Sequence, residues 1–353
     1  MHVFDRRSPG IPLALPVASA SAHGYAWRRV TDHPRRPQPT GGDPPATRVD
    51  RSRAVAGVAV AVVVILAAAF AVYHERHSFV DSFHKMGVWP LVGSFAIGLG
   101  AVACSGPLWL AVLHGLGVDL DWRSGSRVFF TSQLGKYIPG SVWPVLLQME
   151  AGRARGASRR TMLAGNLISL ALSCGSGLLV AAVVLPLADL DALRHYWWVL
   201  LAVPVLLAAL HPRVLPGLLD WVFALLRRDR LGLRLDLAAE LRAASWSLLS
   251  WVGYGGHIAV LCIALGLGVG RSLLLGIGGM ALAIPSGVLF IPAPAGAGIR
   301  DVVLTLVLES RLPPGQALAV VVASRVLLIA CDLTLALAFS LPILHSEGRS
   351  AIE

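Results

Sequence analysis

The sequence predicts an all-α integral membrane protein with about six transmembrane helices and two re-entrant helical hairpins arranged as an inverted repeat. Three observations carry this prediction. Of the 353 residues, 56% are hydrophobic and only 14% charged, whereas soluble globular domains are roughly a quarter charged. The apolar residues gather into long runs, such as the uncharged Ala54–Tyr73, and a helix of about 20 residues rises about 30 Å, enough to cross the hydrocarbon core. Two further runs are apolar but interrupted by Pro and Gly.

Residues 1–53 are rich in Pro, Arg, Ser and Gly, with no apolar period, and read as a disordered basic tail. Ile11–Ala20 imitates a signal-peptide core, but it contains Pro12 and Pro16 and ends far ahead of the first apolar span. Six spans follow, near 54–73, 89–113, 161–186, 196–211, 245–268 and 316–342. The fourth opens on Tyr196, Trp197 and Trp198, ring types that settle at membrane–water interfaces.

The interrupted runs are 127–149, with Gly135, Pro139, Gly140 and Pro144, and 272–309, with Pro285, Pro292, Pro294, Gly296 and Gly298. Proline removes a helix hydrogen bond and clashes with the preceding turn. Broken backbone at membrane depth persists only where it is buried in protein or lines a wet cavity. Both runs are therefore predicted to be re-entrant hairpins, the alternative being ordinary Pro-kinked spans.

Charge placement supports that choice. With the N-terminus cytoplasmic and the hairpins returning to their own side, the inner segments are the tail, 114–127, 150–160, 212–244 and the C-terminus, and they hold 22 of the 30 Lys and Arg. The outer loops hold five, and Lys136, Arg300 and Arg325 lie within the membrane. This is the positive-inside bias, and it predicts a multi-pass protein of the cell membrane with both termini cytoplasmic. The domain spans 54–343, divides into halves 54–195 and 196–343, and leaves a short tail, 344–353. Each half has two spans, a hairpin and a third span. The hairpins enter from opposite sides, as in transporters whose broken helices meet at the midplane. Within 212–244, Leu215, Leu218, Leu219, Val222, Leu225 and Leu226 recur at helical spacing before Arg227 and Arg228. They suit either an amphipathic interfacial helix or an extension of the fourth span.

A charge within the bilayer is costly and marks a candidate site. Lys136 and Tyr137 fall at the break of the first hairpin, and Arg300 and Asp301 follow the Pro/Gly run of the second, where a new helix should begin. A helix N-terminus with an adjacent Arg is suited to phosphate, and Asp301 is placed to satisfy that terminus and pair with a cation. Arg325 and Asp332 are seven apart, on one face of the last span, where they can pair with Asp301 or Lys136 across the bundle, the alternatives being a lipid-head contact for Arg325 or a purely structural polar lock. Glu150 and Gln148 are weaker candidates, and His257 reads as a packing histidine rather than a proton relay.

Other chemistries find little support. Cys104, Cys174, Cys262 and Cys331 all lie in apolar stretches, none in a CxxC, and read as packing residues. His74-Glu75-Arg76-His77 lacks the spacing of a helical two-histidine zinc site. No nucleophile elbow, Walker loop or dinucleotide fingerprint appears, so the chain is not expected to be an enzyme or to hold a cofactor or metal. The net charge of +10 lies in clusters between spans without any nucleic-acid-binding signature. The Gly clusters 266–270 and 276–279 are expected to be close helix-packing points.

Leu134-Gly135-Lys136-Tyr137-Ile138-Pro139-Gly140-Ser141-Val142-Trp143-Pro144 resembles the first signature of the flippase-like membrane family that includes the transmembrane domain of lysylphosphatidylglycerol synthase, or multiple peptide resistance factor. Pro294-Ala295-Gly296-Ala297-Gly298-Ile299-Arg300-Asp301 is similar to its second signature, with Asp301 where the family usually has Glu. The resemblance covers about 54–343 and implies movement of a phosphate-bearing or charged lipid between leaflets, with Lys136 and Arg300 on the head-group phosphate. It implies a membrane phospholipid or glycolipid as ligand, with a lipid-modifying synthase or glycosyltransferase as partner in the alternative, non-transporting reading. Bifunctional members carry a soluble aminoacyl-transfer domain for which 353 residues leave no room, so the chain is not expected to make lysylphosphatidylglycerol itself.

Overall fold

The computed structural model describes residues 76–137, 142–153, 156–188, 201–211, 213–225, 235–289 and 298–340. The predicted tail, the span 54–73, Trp197 and Trp198, the hairpin tips 138–141 and 290–297, Arg227 and Arg228, and the C-terminal tail lie outside them. All described elements are helical, and no strand occurs among the described residues.

A short polar helix, α1 (Arg76–Met86), leads into α2 (Val88–Ala103) and α3 (Ser105–Gly115). Together α2 and α3 form one 28-residue span, Val88–Gly115. The ladder is interrupted at Cys104 because Pro107 has no N–H for the Ala103 carbonyl and crowds it. The first interrupted run becomes α4 (Trp122–Gln133), a 3₁₀ turn Leu134–Tyr137, and α5 (Trp143–Arg153), which packs back on α4. Asp121 caps α4, and the Ser124 N–H it accepts at 3.0 Å holds its carboxyl below the ordinary carboxylate range. Each arm is 11 or 12 residues long, so each rises about 17 Å, roughly half the hydrocarbon thickness.

Next come α6 (Arg159–Ala188), α7 (Ala202–Leu210), α8 (Leu215–Leu225), α9 (Leu237–Ala264), α10 (Val269–Leu289), α11 (Ile299–Glu309) and α12 (Pro314–Ser340). By length and composition α2–α3, α6, α9, α10 and α12 can each cross a membrane, and α7 with α8 forms a sixth candidate if counted as one broken span. The chain bends by 86° between α7 and α8, so α8 is not a straight extension of the fourth span. The long helices are apolar on their outer faces as well as in the core. On α12 Val326, Leu333 and Leu337 are exposed while Leu328, Cys331 and Leu335 are buried. On α9 Leu249 and Val252 are exposed while Trp251 and Ile258 are buried. A helix that is apolar all round belongs in lipid.

Two expectations are corrected. The run 272–309 is not broken at Pro285: α10 continues through it for 21 residues, and only the returning arm, α11 of 11 residues, is too short to cross alone. Pro285 deprives the Ala281 carbonyl of its i+4 donor. That carbonyl faces α6 at Gly177, where a Cβ would lie 3.0 Å from it and 3.0 Å from the proline ring. A side-chain-free neighbour therefore makes room for the proline ring and the freed carbonyl. The second correction concerns glycine. Gly276, Gly278 and Gly279 are packing points, set against Gly255, Leu185 and Leu304. The 266–270 cluster instead forms the α9–α10 turn, with Gly266 at φ +94° and nothing within 4 Å of a Cβ on Gly266, Gly268 or Gly270.

The four cysteines are unpaired, with Cys174 partly and the others fully buried. His257 is a satisfied core residue that ties three helices together. Its Nδ1 lies 2.7 Å from Ser94 Oγ of α2, and its Nε2 lies 2.9 Å from Ser324 Oγ of α12.

The α9–α10 contact gives a paired test. A Cβ on Gly276 would collide with the Gly255 carbonyl oxygen, whereas one on Gly270 meets nothing. Gly276→Ala is expected to cost about 1–3 kcal/mol through overpacking, and Gly270→Ala to be neutral or to stabilise by about 0.5–1 kcal/mol, both read from unfolding in detergent. Equal effects of the two substitutions would contradict this packing.

Candidate functional site

The first break builds one side of the site. Gly135 is buried in the 3₁₀ turn, where a Cβ would lie 3.0 Å from Trp143 Cβ and 3.2 Å from Pro144 N. Only glycine lets α5 return this closely, and the tight turn delivers Lys136 and Tyr137 to α12. Lys136 Nζ lies 2.7 Å from Asp332 Oδ2, and the Tyr137 hydroxyl donates to the same oxygen at 2.5 Å. The Asp332 side chain is 5% exposed and that of Lys136 32%. One buried carboxylate is thus held by a cation and a hydroxyl from the broken segment.

The second break builds the other side. Gly298 has φ 90°, a conformation that L side chains rarely adopt, and it starts α11. Asp301 Oδ2 accepts the Gly298 N–H at 3.2 Å, closing the first turn. Arg325 Nη1 reaches Asp301 Oδ1 at 3.4 Å and Oδ2 at 3.5 Å. The predicted partners of Arg325 and Asp332 are therefore resolved: Arg325 takes Asp301, and Asp332 takes Lys136. Seven residues of α12 separate the two pairs, about 10 Å along the axis.

Arg300 does not neutralise Asp301. It has no ion pair or hydrogen bond among the described residues, and its Nε is buried without a partner. Its electrostatic neighbours are Arg325, Asp301, Tyr254 and Tyr137, which come from α12, α11, α9 and the first break. The six residues singled out from sequence thus converge on one place. Among them three cations face two carboxylates, and the surplus positive charge sits on Arg300. An unpaired guanidinium beside a helix N-terminus is suited to an anion with oxygen acceptors.

Tyr254 of α9 escaped the sequence reading. It lies within electrostatic reach of Asp332 and Arg300, but a single uncharged hydroxyl in an apolar span gives no signal. Glu150 lies elsewhere: it pairs with Arg159, and the two side chains are 60% and 55% exposed, so the contact is worth little. Among the described residues no group of three or more His, Cys, Asp or Glu is arranged to hold a metal ion.

The Lys136–Asp332 pair can be weighed directly. Because Lys136 is partly solvated, a double-mutant cycle with Lys136→Met and Asp332→Asn is expected to give a coupling of about 1–3 kcal/mol, less than a fully buried pair. Detergent-phase unfolding measures it, and additivity within about 0.5 kcal/mol would show the contact to be energetically idle.

No curated protein matches the chain. A family model described as the lysylphosphatidylglycerol synthase TM region matches residues 54–336, which include both breaks and most of α12. The match agrees with the helical architecture, and the chain belongs to the family of lysylphosphatidylglycerol synthase transmembrane regions.

Proposed function

We propose that this membrane protein is a lipid flippase that moves a phosphate-bearing or charged lipid between leaflets. One observation carries the reading: among the described residues Arg300 makes no ion pair or hydrogen bond, its Nε is buried, and it sits beside two ion pairs where the two helix breaks meet α12. A polar site inside an apolar bundle costs folding energy, and a surplus cation there is best accounted for by an anionic ligand. Membership in a family of lipid-related membrane domains supports a lipid as that ligand. Lys136 and Tyr137 come to the site from one break, Arg300 and Asp301 from the other, and Arg325 and Asp332 from α12.

We further infer that the two breaks are the corresponding elements of an inverted repeat and that both termini are cytoplasmic, in the cell membrane. The support is the density of Arg153, Arg155, Arg159 and Arg160 beside the first hairpin and the scarcity of basic residues in the opposite loops. The chain acts as a carrier and makes or breaks no covalent bond.

In this reading the purified chain in lipid vesicles exchanges fluorescent phosphatidylglycerol between leaflets faster than empty vesicles do. Arg300→Gln and Lys136→Gln each slow that exchange about tenfold, the equivalent of one good polar contact in the transition state. Dithionite quenching of the outer leaflet reads the rate. Exchange no faster than in empty vesicles, for every lipid tried, overturns the flippase and favours a non-transporting partner of a lipid-modifying synthase or glycosyltransferase.

A further inference from the structure

The charge count at the site goes further than the presence of an anion site. Among the described residues, the charged side chains brought together are Lys136, Arg300 and Arg325 against Asp301 and Asp332, with Tyr137, Tyr254 and His257 as neutral neighbours. Residues 138–141 and 290–297, which neighbour Tyr137 and Gly298 in sequence, contain no ionisable residue. Each carboxylate is already committed to a cation, and one positive charge remains.

From this balance we propose that the site selects a head group of net charge −1, a monoanionic phosphodiester lacking any compensating ammonium. The inference rests on the flippase reading and deepens it to a substrate class. In a poorly polarisable interior, the cost of occlusion rises steeply with uncompensated charge. A monoanion on Arg300 makes the occupied site neutral without disturbing either ion pair. A zwitterionic head group leaves the site as positive as when empty, and its ammonium gains no free carboxylate. A phosphomonoester dianion overshoots to net negative. The two carboxylates therefore set the charge that the site accepts, and neither need touch the phosphate. Asp301 and Asp332 are specificity residues in this sense.

The test uses the full chain in phosphatidylcholine vesicles at roughly pH 8, where a phosphomonoester is largely doubly ionised. The probes are acyl-labelled phosphatidylglycerol, phosphatidylcholine and phosphatidic acid, each at trace level. Phosphatidylglycerol is expected to exchange at least tenfold faster than the other two. Asp301→Asn, which raises the surplus to two positive charges, shifts the preference at least tenfold toward phosphatidic acid. Arg300→Gln, which neutralises the surplus, shifts it toward phosphatidylcholine. If Arg300→Gln fails to fold, Asp332→Asn carries the same sign as Asp301→Asn and decides the question. Equal rates for the three lipids in the unaltered chain overturn the charge-selection inference and leave the flippase standing. So does a preference that none of these substitutions moves. Exchange of none of the three removes the flippase and this inference with it.

Discussion

The arrangement depends on the buried carboxylate of Asp332. A carboxylate 5% exposed on an apolar helix is tolerable only if cations and donors reach it, and those come from the 3₁₀ turn at Lys136 and Tyr137. That requirement draws the first broken segment onto α12. The same logic operates two helical turns away, where Arg325 needs Asp301 and so fixes the start of α11. Two polar debts on one face of one helix thus gather two breaks that lie far apart in sequence. Arg300, next to Asp301 but in no ion pair among the described residues, is what remains when both are met.

Packing makes the gathering possible. Gly135 lets the arms of the first hairpin close, Gly276 brings α10 against the backbone of α9, and Gly177 gives room to the ring of Pro285. Without a hydrophobic driving force between helices in lipid, such close backbone approaches and a few buried polar links hold the bundle. His257, between Ser94 and Ser324, is one such link, and it lies one turn of α9 from Tyr254.

Much of this was legible in the sequence, for physical reasons that differ by element. The spans 89–113, 161–186 and 316–342 correspond closely to Val88–Gly115, Arg159–Ala188 and Pro314–Ser340, because apolar length is a direct reading of bilayer thickness. The start of α9 was less legible. The fifth span was expected at 245–268, yet α9 begins at Leu237 and carries Glu240 and Arg242 in its first turns, because charge does not stop a helix. Pro285 misled in the opposite direction, since the helix runs through it where a neighbour without a side chain leaves space for its ring. The pairing at the site followed from cost: each charge in an apolar span needs a partner, and the spacing of Arg325 and Asp332 put both on one face. Which cation took which carboxylate required coordinates, as did the discovery that Arg300 takes none. Tyr254 offered no signal because an isolated hydroxyl perturbs neither hydropathy nor charge.

The central claim is that the surplus charge of Arg300 is a binding charge. It is tested most directly by an experimental structure in lipid nanodiscs containing phosphatidylglycerol. The account expects a lipid phosphate about 3 Å from the Arg300 guanidinium, with the Lys136–Asp332 and Arg325–Asp301 pairs still in place. Arg300 paired with a protein carboxylate, or turned to bulk water with head groups only at the membrane surface, would contradict it.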